Sequence, residues 1–463
     1  MKTTPSANPV LSDALLKGYA DKVRTTGKID PLLYEKYNVK RGLRNSDGTG
    51  VLVGLTCIGS VHGYVISESE KVSVPGQLFY RGINVNDLVD GFQREKRFGF
   101  EECAYLLLFG ALPSAGDLKV WNEILDYYRR LPDGFKENAI IRAPGKDLMN
   151  SIARAVLMAY TYDAEPDRLD VENTLRQSIE LIAQFPVLAA YAYQAKAHYH
   201  MGQSLMMRYP EKGKSTAENF LMLIREDGLY TQLEAELLDL CLVLHAEHGG
   251  GNNSAFTTHV VTSSFTDTYA AIAAAVLALK GPRHGGANLR VMEQMREIKE
   301  NVEHWDNEGE VADYLTKILT RQAGDGTGLI YGLGHAVYTL SDPRTEMLRA
   351  KARDLAKAKG RDEEMKLYET IEHVGPQVIN KNRSKPRDLC ANVDFYSGFV
   401  YDMLNIPIDL YTPIFAVARV VGWTAHRLEE LLNGGPIIRP AYKAIFEQRA
   451  YSPLEERQTN TSA

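Results

Sequence analysis

Apolar residues recur every three or four positions along most of this chain, the spacing of a helix face. One stretch departs from it. Between residues 51 and about 80, short apolar runs at 64–66 and the alternation Val72-Ser73-Val74 are punctuated by Gly59, Gly63, Pro75 and Gly76. That pattern predicts short strands and the chain's one sheet. After Arg81-Gly82 helical spacing takes over, predicting helices over 86–92 and 100–109. Pro113-Ser114 opens another, in which Leu118, Trp121, Leu125 and Tyr128 share a face. Further helices are predicted over 148–160, 171–185, 188–199, 217–224 and 233–245, with Pro186 breaking or kinking the run. Residues 269–279 are nearly all Ala, Ile, Val and Leu and read as a buried central helix ended by Gly281-Pro282.

Beyond Asn288 the helices at 292–302, 311–321, 344–359 and 363–379 become charged and amphipathic, and apolar helix returns at 398–404 and 414–432. The expectation is a mainly α, multi-helical, two-domain fold with a small β element near the N-terminus. Residues 1–50 form an arm with a modest helical signal at 11–23, 51–287 a large helical domain, and 288–393 a small one. Residues 394–463 return to the large domain and end in a tail.

Composition narrows the function. The length of 463 residues suits about three domain-sized units or two unequal ones. Lys and Arg number 53 against 59 Asp and Glu, a net charge of −6 with no basic block, so a nucleic-acid partner has no electrostatic footprint. An anionic ligand must be met by locally placed arginines. Cys57, Cys103, Cys241 and Cys390 form no CxxC pair and read as reduced core thiols. With no apolar leader in residues 1–16, no bilayer-length apolar run and no peroxisomal SKL ending, the expected location is the cytoplasm. Gly213-Lys214-Ser215 has the tail of a phosphate loop, but Arg208 stands where its first glycine belongs, so a solvated loop is expected.

Candidate chemistry concentrates in residues 242–288, which hold His245, His248, His259 and His284 between two glycine-rich breaks. His284 lies between Gly281-Pro282 and Gly285-Gly286, where backbone can approach a ligand closely. Three more motifs follow: Gly332-Leu-Gly-His335 with Asp342-Pro-Arg344, Asn392-Val-Asp394-Phe-Tyr-Ser-Gly398, and Phe415-Ala-Val-Ala-Arg419 with Arg439-Pro440. Together with Gly281-Pro-Arg-His284-Gly-Gly-Ala-Asn288, in this order and spacing, they resemble the citrate synthase family. The resemblance is strongest from about 242 to 440, weaker toward Phe79-Tyr-Arg-Gly82, and absent over residues 1–50.

It implies a citrate synthase-like fold and an acyltransferase. Such an enzyme condenses oxaloacetate with the methyl group of acetyl-CoA and hydrolyses the citryl thioester, at the entry to the tricarboxylic acid cycle. Removing a proton beside a thioester carbonyl needs a base and a donor to the enolate oxygen. By resemblance Asp394 is the base, His284 the donor as a neutral imidazole, and His335 the donor to the oxaloacetate ketone. Arg344, Arg419 and Arg439 match the family's carboxylate-binding arginines, with His248 and Asn252 as further oxaloacetate contacts. The arginine matching Arg439 reaches across a dimer in the family, so a homodimer is implied. Leu329, Ile330, Gly332, Leu333 and Gly334 would shape the adenine end of the coenzyme. Residues 336–341 lack the basic residue often found there, and Lys385 and Arg387 are expected to meet the coenzyme phosphates instead. No metal and no permanently bound cofactor is implied.

Other readings stay open. His245 and His259 read as satisfied polar groups, and His245 with His248 lacks the further ligands of a metal site. Arg290, Arg349 and Arg353 belong on solvated faces. A 2-methylcitrate synthase using propionyl-CoA would use the same residues. A non-catalytic sensor of acyl-CoA or oxaloacetate, and a metal-dependent hydrolase, are rivals of other classes.

Overall fold

Gly63 and Gly76 fall where two stretches of backbone meet. In the computed structural model, which describes residues 13–45, 48–67, 70–335, 337–383 and 386–457, strands Gly59–Ser67, Glu70–Tyr80 and Ile83–Asn84 pair antiparallel in that order. Gly59 faces Tyr80, and the register slips once, between His62 and Tyr64. A Cβ on Gly63, inside that slip, would stand 2.6 Å from the Val337 carbonyl oxygen, and one on Gly76 would stand 2.2 Å from that of Ser341. Only glycine lets the 337–341 segment lie so close. The Gly76 N–H donates to Ser341 Oγ at 3.2 Å, and Tyr338 donates to the Gln77 carbonyl at 3.3 Å. On the same strand, the Tyr80 hydroxyl donates to the Val243 carbonyl at 2.9 Å, at the end of helix Gln232–His245. The sheet therefore holds two histidine-bearing segments in one place.

Helices fill the rest because their starts are capped and their apolar faces are buried. Ser114, Ser215 and Thr231 each close a capping box, with Asp117, Glu218 and Glu234 respectively. Ser215 thus explains the phosphate-loop fragment as a helix cap. The expected pair of helices either side of Pro186 is one helix, Val171–Met201. Proline removes one backbone donor from a helix, yet residues 181–195 are buried and that packing holds the helix through it. Helix Tyr411–Asn433 is buried from Tyr411 to Leu428 and packs against Val171–Met201, Asn253–Thr262 and Thr268–Lys280. Thr268–Lys280 is less buried than its composition predicts, since Leu277 stays 46% exposed. Helix Asn253–Thr262 was not expected, because its Ser, Thr and Asn residues carry little periodic signal. Cys103 and Cys241 are buried thiols, but Cys57 is exposed and Cys390 half-buried, which corrects the reading of all four as core.

Two compact units result: Leu55–Arg439, and Met1–Gly54 with Pro440–Ala463. In the second, the described α-helices are Asp13–Gly27 and Leu32–Lys36, and Arg44 bridges Gly50. The helical signal expected at 11–23 appears as Asp13–Gly27, with residues 11 and 12 outside the described residues. Among the described residues no helix is long and apolar enough to cross a membrane.

Gly422, inside helix Tyr411–Asn433, makes a testable case. Alanine in place of a mid-helix glycine normally stabilises by about 0.5–1 kcal/mol. Here its Cβ would meet the Ala246 carbonyl oxygen at 2.6 Å. Gly422→Ala is therefore expected to destabilise by about 1–3 kcal/mol, read as a lower midpoint of denaturant unfolding; a raised midpoint would contradict this packing.

Candidate active site

Helix Gln232–His245 delivers His245 and, just beyond its end, His248 into the interior. The segment after Gly334 brings His335 beside them, with the His248 and His335 rings 5.2 Å apart and nearly perpendicular. Backbone geometry sets this segment. Gly332 and Gly334 have φ of +81° and +93°, and a Cβ on Gly332 would stand 2.7 Å from Phe395. Gly334 N–H donates to the Cys390 carbonyl at 2.7 Å, and Asn392 N–H donates to that of Gly332 at 2.9 Å. The loop bearing His335 is thereby stitched to the start of helix Val393–Met403, whose first turn carries Asp394.

Hydrogen bonds fix one tautomer. The backbone N–H groups of Val337 and Tyr338 both donate to His335 Nδ1, at 3.1 and 3.0 Å. Nδ1 must then be unprotonated, so the ring is neutral and carries its proton on Nε2. His284 Nε2 lies 2.9 Å from Ser254 Oγ, which also accepts from Trp423 Nε1 at 3.0 Å and lies 3.0 Å from Asn252 Oδ1. Ser254 has one proton to give. Given to His284, it leaves a donor at Nδ1; given to Asn252, it leaves an acceptor there. Ser254 and Trp423 escaped the sequence reading, since neither stands in a recognisable spacing with His284.

The electrostatics follow from burial. Arg419 is fully buried, and its Nε donates to the His245 carbonyl at 2.6 Å. Both Nη atoms are buried without a partner. Burial lowers its pKa to about 10, which still leaves it charged at neutral pH. Arg344 is buried too, paired through Nε and Nη2 with Asp342 at 3.0 and 2.7 Å. Burial, with Arg419, pushes His284 down to about 4. Burial first and then Arg344 hold His245 and His248 well below the ordinary histidine value. These three rings are neutral at pH 7. Asp394 goes the other way: burial raises it to about 6, against the pull of Arg344. Its Oδ1 is buried and has no partner. Phe415 forms one wall, stacked on His245 at 4.3 Å and lying under the Arg419 guanidinium at 4.7 Å.

The structure thus gathers His248, Asn252, His284, His335, Arg344, Asp394 and Arg419. Two ring nitrogens of His245 have no partner, so the expectation of a satisfied polar group fails for it. His259 meets that expectation, with Glu430 at 2.7 Å. Arg290, Arg349 and Arg353 pair with Glu293, Glu372 and Glu369 at the surface. Arg439 is exposed on the extended segment after helix Tyr411–Asn433 and is not gathered into the cluster. Leu329 is exposed and Ile330 buried, and Leu333 bridges Ala391 beside Gly332 and Gly334. Lys385 lies outside the described residues. Arg387 is exposed, with Arg383, unremarked in the sequence, close enough for the like charges to interact.

Burial thus sets unpartnered guanidinium donors beside neutral imidazoles and one carboxyl of raised pKa, an arrangement suited to an anionic ligand and to proton transfer. The chain belongs to the citrate synthase family: the family profile "Citrate synthase, C-terminal domain" matches residues 48–441. A citrate synthase of Haloferax volcanii is 33% identical over 406 residues, covering 86% of this chain and 98% of that protein. The 2-methylcitrate synthase 1 of Corynebacterium glutamicum is 34% identical over 398 residues, covering 84% and 95%. The crystal structure of citrate synthase from Pyrobaculum aerophilum superposes with a TM-score of 0.70 at 30% identity, over 88% of this chain and 94% of that one.

Asp394 gives a stability test. Its pKa rises from the ordinary carboxylate value to about 6 on folding, so the folded state binds the proton more tightly. Stability present at low pH is then lost as pH rises through the interval from about 4 to 6. A shift of this size corresponds to a loss of about 1–3 kcal/mol. Asp394→Asn should therefore match the parent near pH 4 and exceed it by that amount at pH 7 in denaturant unfolding. Equal stability at both pH values would show that the carboxyl is not strained by burial.

Proposed function

We propose that this protein is a citrate synthase condensing acetyl-CoA with oxaloacetate, and that the orphaned Nη pair of Arg419 is the observation that carries the reading. A buried guanidinium with two unused donors is the counterpart of a carboxylate, which it can meet with two parallel hydrogen bonds. Arg419 and the remaining nitrogen of Arg344 take the oxaloacetate carboxylates, His248 adds a donor through Nε2, and Asn252 helps to border the site. Arg439 of the partner subunit completes the set. A homodimer is supported by Leu157 and Leu277, which stay exposed on the mutually packed helices Leu148–Ala159 and Thr268–Lys280.

Asp394 as the carboxylate removes a proton from the acyl methyl group. A base with pKa near 6 is half-formed at pH 6 and strong enough to share that proton. His284, neutral above about pH 4, donates from Nδ1 to the developing enolate oxygen. This requires Ser254 to give its proton to Nε2 and the Asn252 amide to turn its NH₂ toward Ser254. The enolate carbon attacks the ketone carbon of oxaloacetate, whose oxygen is polarised by the Nε2–H of His335. Water then cleaves the citryl thioester, releasing citrate and CoA. The coenzyme is a co-substrate: the loop 329–334 flanks its adenine, and Arg383 and Arg387, with Lys385, meet its phosphates. Residues 288–393 act as the smaller domain, closing on oxaloacetate to exclude water from the enolate. We place the enzyme in the cytoplasm, at the entry to the tricarboxylic acid cycle, in keeping with its free thiols.

The second reading is 2-methylcitrate synthase. Relatives of both names match at 33% and 34% identity, and one extra methylene is worth only about 1–3 kcal/mol to a pocket. Thiol release measured with oxaloacetate and either acetyl-CoA or propionyl-CoA separates the two; acetyl-CoA is expected to have the higher kcat/KM. The rate should climb with pH through about 6 as Asp394 ionises. Asp394→Ala should cost roughly 10²–10⁴-fold in kcat with oxaloacetate binding retained. No thiol release from either substrate by the folded dimer would leave only the sensor reading. Small-angle scattering should show compaction with oxaloacetate, and an unchanged radius would remove the closure step.

A further inference from the structure

Behind the Glu247 that separates His245 from His248 lies a second cluster that the chemistry above leaves unused. His259 Nε2 and His426 Nδ1 face each other at 3.2 Å. Each ring is held from its far side by a carboxylate: His426 Nε2 lies 3.0 Å from Glu247 Oε1, and His259 Nδ1 lies 2.7 Å from Glu430 Oε2. Glu429 Oε2 stands 3.7 Å from His426 Nδ1, buried and without a hydrogen-bond partner. Its other oxygen accepts from the Cys57 N–H at 2.6 Å, which aims the free one at the two rings. All three potential donor atoms lie within 4.8 Å of one another.

We propose that His259, His426 and Glu429 form a binding site for a divalent first-row transition metal, with Zn²⁺ as the type ion. Two imidazole nitrogens bound to one zinc at about 2.0–2.1 Å and a tetrahedral angle stand roughly 3.3 Å apart, the separation seen here. Imidazoles that bind metal characteristically give their other ring nitrogen to a carboxylate, which orients the ring and strengthens the ligand; Glu247 and Glu430 do this for both. A small swing of Glu429 brings the third ligand in, and water takes the fourth position. Arg81 and Arg419, which act on Glu429 and Glu247 through charge, spend their Nε donors elsewhere, on the Leu107 and His245 carbonyls.

Without metal the facing nitrogens share one proton. At 3.2 Å, one of His426 Nδ1 and His259 Nε2 donates to the other. Metal entry displaces that proton. The route in is short, because the side chains of His259 and Glu430 are 13% and 20% exposed. The site contributes no atom to the condensation, so it is distinct from a metal-dependent hydrolase centre. Its tie to the active site is Glu247, next in sequence to His248.

The test titrates chelator-treated full-length protein with Co²⁺, whose visible absorption reports a low-coordinate centre with nitrogen ligands, and competes it with Zn²⁺. One equivalent per chain is expected, displaced by zinc. His259→Gln should abolish the bands, and Glu429→Gln or Glu430→Gln should weaken binding by roughly tenfold or more. Far-UV circular dichroism and metal-free melting of each variant verify that it is folded. His304→Gln, at an exposed histidine paired with Glu310, should change nothing. Bands that persist in folded His259→Gln, or binding that never saturates at one equivalent, would overturn the site.

Discussion

Arg419 is the constraint on which the rest depends. A guanidinium buried with two unused Nη atoms is expensive to hold, and its position raises the free energy of further positive charge nearby. Arg344, buried as well, adds to that field. Burial, helped by that field, keeps His245, His248 and His284 neutral, and burial against the field raises Asp394. Imidazoles become donors and acceptors in place of cations, and Asp394 becomes a better base than an exposed carboxylate. A carboxylate ligand would supply the missing partner.

Holding these groups falls mainly to backbone. Gly63 and Gly76 let the 337–341 segment lie against the sheet, and Gly332 and Gly334 let the same loop join residues 390–392. His335 has its Nδ1 held as an acceptor by two backbone N–H groups. His284 depends instead on Ser254, itself held by Trp423 from a distant helix. Glu247 sits between this cleft and the His259–His426 pair, so the two clusters share a single carboxylate without sharing chemistry.

Much of the fold was legible because it is local. Phe100–Phe109 has the bounds that its spacing predicts, and Ser114 and Ser215 start helices for reasons written within four residues. The errors share one cause. Pro186 reads as a break until the burial on both sides is known, and Asn253–Thr262 lacks the apolar stripe that reveals a helix. Cys57 reads as core only by its residue type. His245 reads as satisfied, yet its ring nitrogens have no partner.

By itself the sequence determined the helical architecture, the small sheet near the N-terminus, and the candidate residues, whose types and order carry the family resemblance. Those are properties of periodicity, capping and chemistry along a few residues at a time. Only the tertiary structure decided which of those residues meet, that the Arg419 Nη atoms are left without a partner, that Arg439 stands outside the cluster, and that two further histidines face each other. Desolvation and hydrogen bonding depend on neighbours more than a hundred residues away, as between Ser254 and Trp423 or His259 and His426. No local pattern encodes such a distance, so protonation states and orphaned donors become readable only once the chain has folded.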